Sequence, residues 1–340
     1  MSETSNSASG FSATVDFDAP GKHFGQIEIP YSRDEAGLGN LLVPMISIRN
    51  GEGPCLLFVA GNHGDELEGQ IALRNLVHEL EPSHVSGQLI VVPSLNLPAV
   101  LNNSRCSPID DLNMNRIFPG NSRGTVSEKI AAFVQEDLLP RVDAVIDLHA
   151  GGRNLTCLAY AMMHRYENPE TMKSTMALMK VFAAPYAVIY DTEPDREGML
   201  DTAVEDLDKP FIAVELGGLG SQNPGSVRLT ARGVRNVLVH AGLIDGEIDT
   251  GGTPTQMLAV SEGGHVIAED HGLFESFVEI GDEVAAGSAI GQLHSVHRPD
   301  RKPILHHAGA GGIVMIRRTT GITTHGDYLA VVGTTSDTDL

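Results

Sequence analysis

Residues Leu56 to Gln70 read LLFVAGNHGDELEGQ. An apolar run ends at Gly61, and the chain at once puts forward an imidazole, His63, and a carboxylate, Glu66. Beyond them Leu67, Ile71, Leu73, Leu76, Val77 and Leu80 recur at helical spacing until Pro82. The segment therefore reads as a buried strand, a short loop and an amphipathic helix, with two ionisable groups where the strand exits. That is the signature of a metal site at a sheet edge, or of a polar loop with a helix cap.

The same pattern returns along the chain. CLLFVAG from Cys55, GQLIVVPSLN from Gly87, DAVIDLHAGG from Asp143 and PFIAVELGG from Pro210 are rich in branched aliphatics without strict alternation. Strands covered on both faces have this composition. Helical segments lie between them: Thr125 and Glu128 form a capping box, and VRLTARGVRNVLVHAGLI reads as a further helix closing near Gly242. The alternation predicts an α/β sandwich around a mixed, largely parallel sheet over residues 21–249. From residue 250 to 340 short strands and glycine-rich turns predict a small all-β domain. IGDEVAAGSAIGQL resembles half of a lipoyl- or biotinyl-carrier domain, but no carrier lysine stands between its strands. Residues 1–20 are polar and predict a disordered tail without the features of a secretory signal.

Composition narrows the partners. The chain has 340 residues, 41% hydrophobic and 20% charged, with a formal net charge of −21. Nucleic acid and anionic membrane surfaces repel such a chain. No window approaches the roughly 18 apolar residues of a membrane span. Three cysteines without a CxxC favour a reduced cytoplasm over a disulfide framework. The oligomeric state is not specified, and a homo-oligomer is compatible with all of this.

In an open parallel sheet, ligands gather beyond the carboxyl ends of the strands. His63 and Glu66 follow the first of the buried runs, His149 ends the third and Glu215 ends the fourth. Two imidazoles and one carboxylate form a common catalytic zinc set, with a position left for water. Such an ion acidifies water and polarises a carbonyl, and Glu215 is placed to carry the proton. A second constellation, NNSRCSPIDDLNMNRIFPG from Asn102, holds Arg105, Asn115 and Arg116. Guanidiniums in a cation-poor chain suggest a carboxylate clamp, and ion pairing with Asp110 and Asp111 is the plainer alternative. The histidines at 294, 297, 306, 307 and 325 lack ligand spacing and read as surface or packing residues. Asp191, Glu193 and Asp195 read as solvated surface.

The four motifs GNHGDE, DLNMNRIFPG, DLHAGG and VELGG together resemble the succinylglutamate desuccinylase and aspartoacylase family, a branch of the zinc carboxypeptidase superfamily. The resemblance covers roughly residues 40 to 335. It implies a zinc-carboxypeptidase-like fold and one Zn2+ per chain, held by His63, Glu66 and His149. It also implies Glu215 as general base and acid, with Arg105, Asn115 and Arg116 on the substrate carboxylate and oxyanion. Within the family, IPYSRDEAGLGNLLVPMISIRNGEGP, REGMLDTAVEDLDKPFIAVELGGLG and ARGVRNVLVHAGLI look most like the subgroup that deacetylates N-alpha-acetyl-L-2,4-diaminobutyrate in ectoine breakdown. The expected substrate is thus a small N-acyl amino acid. The alternatives are another N-acyl amino acid, a C-terminal peptide residue, or binding without turnover.

Overall fold

The computed structural model describes residues 9–191 and 197–336. Strands β1 (Ser12–Ala13), β2 (Gly21–Pro30) and β3 (Asn40–Asn50) precede β4 (Cys55–Ala60). Helix α1 (Glu68–Glu79), β5 (Gly87–Val92), α2 (Leu97–Asn102) and α3 (Val126–Phe133) follow. Next come β6 (Ala144–His149), β7 (Leu155–His164), α4 (Pro169–Phe182) and β8 (Tyr186–Tyr190). Helix α5 (Leu200–Glu205), β9 (Phe211–Gly218) and α6 (Pro224–His240) complete the part that carries helices. The remainder is β10 (Gln256–Ala259), β11 (His265–Ile267), β12 (Gly272–Ser276), β13 (Glu283–Val284) and β14 (Ala289–His294). It ends with β15 (Ile304–His307), β16 (Gly312–Arg318), β17 (Ile322–Thr323) and β18 (Tyr328–Thr335).

Every residue of β4 and of β6 is buried, as their unbroken apolar composition requires. Alternate side chains of β4 enter different cores. Leu56, Phe58 and Ala60 pack with Leu73 and Val77 of α1 and Val234 and Val237 of α6. Cys55, Leu57 and Val59 pack with Ile130 and Phe133 of α3 and Val204 of α5. Helices therefore cover both faces of this strand. Thr125 and Glu128 make the capping box expected at the head of α3.

Parallel pairing is confined to two runs, β5–β4–β6–β9 and β7–β8–β10. The remaining pairs of the long sheet are antiparallel, including β9 with β7 and the hairpin β2–β3. The sheet is thus more mixed than the expectation of a largely parallel one, because β7 returns directly from the sheet edge that β6 and β9 reach.

Residues 9–20 also depart from the expected tail. Phe11, Ala13, Val15 and Phe17 are buried while Thr14, Asp16 and Asp18 are exposed, and β1 pairs with β2. This period of two is a strand signal hidden inside a polar composition. After residue 250 the described residues form strands and one 3-10 turn. β10 extends the long sheet beside β8, β16 pairs with β7, and four strands form a separate sheet ordered β15–β14–β12–β17. Among the described residues no helix is long and apolar enough to cross a membrane.

Candidate metal centre and substrate pocket

The parallel registers set the site. Ala60 of β4 lies beside Leu148 of β6, and His149 of β6 lies beside Glu215 of β9. β4 and β6 thus end level with Glu215, which stands inside β9, and the loop after β4 adds His63 and Glu66. The loop after β4 is compact because Gly64 donates its N–H to the Ser104 carbonyl at 2.9 Å. A Cβ on Gly64 would stand 2.0 Å from the Ala99 carbonyl carbon, so only glycine fits there.

His63, Glu66 and His149 are all buried, and one donor atom from each lies within 4.8 Å of the other two. His63 Nδ1 is 2.8 Å from Glu66 Oε1, and His149 Nδ1 is 2.9 Å from Glu66 Oε2. The opposite ring nitrogens face acceptors. His63 Nε2 is 3.1 Å from Asn113 Oδ1, and His149 Nε2 is 2.8 Å from Asp147 Oδ2. With Nε2–H donating to those oxygens, each Nδ1 faces the Glu66 carboxylate, an arrangement that needs a proton or a metal ion between the two. The Arg105 guanidinium, 3.4 Å from His63 Nδ1, fits the same tautomer. Three electron-pair donors converging out of water call for a cation, and this donor set fits a divalent metal ion.

Charge follows the same logic. Burial draws the His63 pKa down despite Glu66. Burial would also lower that of His149, but Asp147 and Glu66 on either side raise it well above its usual value. Burial raises the Glu66 pKa, yet the two imidazoles hold it below the ordinary carboxylate range. Glu215 differs: burial first, and then the Glu66 carboxylate, push it up to about 7 against His149 and Arg105. Its Oε2 is sealed from solvent and has no hydrogen-bond partner among the described residues. A carboxyl that changes charge near neutrality beside a cation site suits proton transfer.

Arg105 reaches the centre, with one guanidinium nitrogen 3.5 Å from Glu66 Oε1 and a side chain 40% exposed. Asn115 accepts at Oδ1 from Leu200 N at 2.9 Å and from Asn62 Nδ2 at 3.2 Å. Arg116 is exposed, and its guanidinium donates to the Asn115 carbonyl at 2.7 Å. Asp110 does not pair with these arginines; it accepts from Ser127 N and Oγ. Asn62, Asn113 and Asp147, which hold the two imidazoles and the loop, are not singled out by the sequence. The available signal was Asp147 itself, a carboxylate inside the wholly buried run AVIDLH two residues before a histidine.

Elsewhere, buried His306 accepts from Glu269 N and exposed His294 pairs with Glu275. Asp191 pairs with Arg165, whereas Glu193 and Asp195 lie outside the described residues.

The chain belongs to the succinylglutamate desuccinylase/aspartoacylase family, whose catalytic-domain model matches residues 52–241. It is similar to the N-alpha-acetyl-L-2,4-diaminobutyric acid deacetylase of Halomonas elongata, with 39% identity over 325 residues and 95% of each chain covered. Among solved structures it is similar to the product-bound ectoine utilization protein EutE (DoeB) of Ruegeria pomeroyi. The TM-score there is 0.92 at 40% identity, over 95% of this chain and 98% of that one. A succinylglutamate desuccinylase/aspartoacylase from Rhodobacter sphaeroides gives a TM-score of 0.90 at 34% identity, over 96% of this chain and 99% of that one.

Proposed function

We propose that the protein is a zinc-dependent deacylase that hydrolyses N-alpha-acetyl-L-2,4-diaminobutyrate in the breakdown of ectoine. The observation that carries the reaction class is the convergence of His63, Glu66 and His149 beside a carboxyl, Glu215, that titrates at about 7. The substrate rests on likeness to the Halomonas elongata deacetylase along almost the whole chain.

Two imidazoles and a carboxylate suit zinc, which when bound supplies Lewis-acid polarisation of the acyl carbonyl and acidifies a water. Glu215 accepts the proton of the attacking water and returns it to the departing amine nitrogen. Arg105 offers a planar fork to the substrate carboxylate or to the developing oxyanion. Asn115 has its Oδ1 committed to Leu200 and Asn62, so its Nδ2 is the group left to donate to a ligand. Arg116 extends the same clamp from the rim.

The test is acetate release from N-alpha-acetyl-2,4-diaminobutyrate by the zinc-loaded protein, beside N-acetylaspartate, N-succinylglutamate and a short peptide. Preference for the diaminobutyrate supports the proposal. Preference for another acyl amino acid keeps the mechanism and discards the substrate, and preference for the peptide makes the protein a carboxypeptidase.

A further inference from the structure

Asn62 precedes the first imidazole ligand and is 1% exposed. Its Nδ2 donates to two acceptors, Asp147 Oδ2 and Asn115 Oδ1, each at 3.2 Å. Its Oδ1 is buried with no partner among the described residues. An amide that leaves its carbonyl unsatisfied to spend both hydrogens on two oxygens is held by what those hydrogens do.

The orientation of each amide in this group is dictated by chemistry. The N–H of Leu200, at the head of α5, can only donate, and it meets Asn115 Oδ1 at 2.9 Å. The amide of Asn115 therefore cannot turn over. Its Oδ1 in turn demands a donor from Asn62, which fixes the Asn62 Nδ2 toward Asp147. Asp147 Oδ2 then accepts the Nε2–H of His149 at 2.8 Å, which leaves Nδ1 of that ring as the electron-pair donor. A single chain of donors and acceptors thus runs from a backbone N–H at α5, through a substrate-pocket amide, to the tautomer of a metal ligand.

We infer that Asn62 is a positioning residue that couples the substrate-binding amide of Asn115 to the metal-binding imidazole of His149. It takes its own orientation from Asn115, whose amide the Leu200 N–H fixes, and passes a donor to Asp147, which holds the His149 ring. Occupancy of one end therefore stabilises the other: a ligand that orders Asn115 orders Asp147 and His149, and metal on His149 orders Asn115. The substrate half of this inference rests on the proposed deacylase function, while the metal half stands apart from it.

The test compares wild type with Asn62→Ala and with Asn62→Leu, a near-isosteric replacement that keeps side-chain bulk and offers no hydrogen-bond donor. Zinc affinity of the metal-free proteins is measured by competition with a chromophoric chelator, and KM and kcat for N-alpha-acetyl-2,4-diaminobutyrate at saturating zinc. Both variants should bind zinc about tenfold more weakly or worse, the range found when a ligand's outer hydrogen-bond partner is lost. Adding Asn115→Ala to Asn62→Ala should weaken zinc binding little further, because Asn115 reaches the metal site only through Asn62. Unchanged zinc affinity in Asn62→Leu, with melting lowered or not, overturns the inference. So does full additivity with Asn115→Ala. If wild type hydrolyses no acyl amino acid, the functional reading fails, and the zinc affinities alone decide whether Asn62 supports His149.

Discussion

His149 and Glu215 are register partners across the parallel pair β6–β9, so an imidazole of the candidate metal centre and a carboxyl leave the sheet side by side. The neighbour relation explains both of their electrostatic peculiarities. His149 is held by carboxylates on two sides, while Glu215 has one carboxyl oxygen, Oε2, buried without a partner among the described residues. Glu215→Gln keeps the volume and removes the proton acceptor. The expected outcome is normal zinc binding with kcat reduced on the order of a hundredfold or more. Turnover near that of wild type would falsify the role of Glu215.

The Glu215 carboxyl also sets a pH dependence. Only its ionised form accepts a proton, so kcat/KM should fall on the acid side, with a midpoint that bound zinc draws below the value of about 7 of the metal-free site. Stability runs the other way. A carboxyl lifted from 4.5 to about 7 favours the protonated fold, so its contribution is complete below 4.5 and is lost as pH rises through 7. Metal-free Glu215→Gln should therefore match wild type near pH 4.5 and be the more stable by on the order of 3 kcal/mol at pH 8. Thermal melts of both proteins across that range check the sign; a mutant less stable at pH 8 than at pH 4.5, relative to wild type, refutes it.

What could be read from the sequence, and what could not, follows from how each residue signals itself. His149 and Glu215 are legible because each stands in a buried strand, where an ionisable group has no packing reason to be, and His63 and Glu66 because they are an imidazole and a carboxylate set directly after one. Asn62 and Asn113 were not, since a polar residue in a loop looks the same whether it faces water or a ligand ring. The β2–β3 hairpin was missed for a different reason: it pairs over ten residues, but its outer strand mixes exposed and buried positions irregularly. The segment Phe11 to Phe17 shows the reverse error. Composition suggested disorder, while the alternation of its apolar residues recorded a strand edge.

Metal removal and ligand loss should have one outcome. Chelation, or His149→Ala, is expected to abolish acetate release, and chelated wild type should recover when zinc is returned. Zinc should also raise the melting temperature of wild type, since metal that binds only the folded chain stabilises it. His149→Ala should show neither effect, and full zinc retention by that variant would remove His149 from the ligand set.

Arg105 spans the metal centre and solvent, 3.5 Å from Glu66 Oε1 with two-fifths of its side chain exposed. A clamp for a carboxylate acts on binding, so Arg105→Ala should raise KM at least tenfold. Arg105→Lys should rescue only part of the loss, because a point charge cannot make the paired contacts of a guanidinium. An unaltered KM alongside a large fall in kcat would assign Arg105 to the oxyanion and leave the carboxylate to Arg116 and Asn115.

Gly64 lies between the first imidazole ligand and Glu66, and its place against Ala99 leaves no room for a side chain. The added methyl of Gly64→Ala would meet the Ala99 carbonyl carbon at 2.0 Å, a backbone atom that cannot swing aside as a side chain can. Either the loop or α2 must shift, at a cost of about 1–3 kcal/mol. The Gly64–Ser104 hydrogen bond ties that shift to the segment that carries Arg105. The expected result is a lower melting temperature together with weaker zinc binding and a higher KM. Gly242→Ala supplies the contrast. Its Cβ meets nothing within 4 Å, so the strain of its positive φ of 74° should lower stability alone and leave zinc affinity and KM at wild-type values.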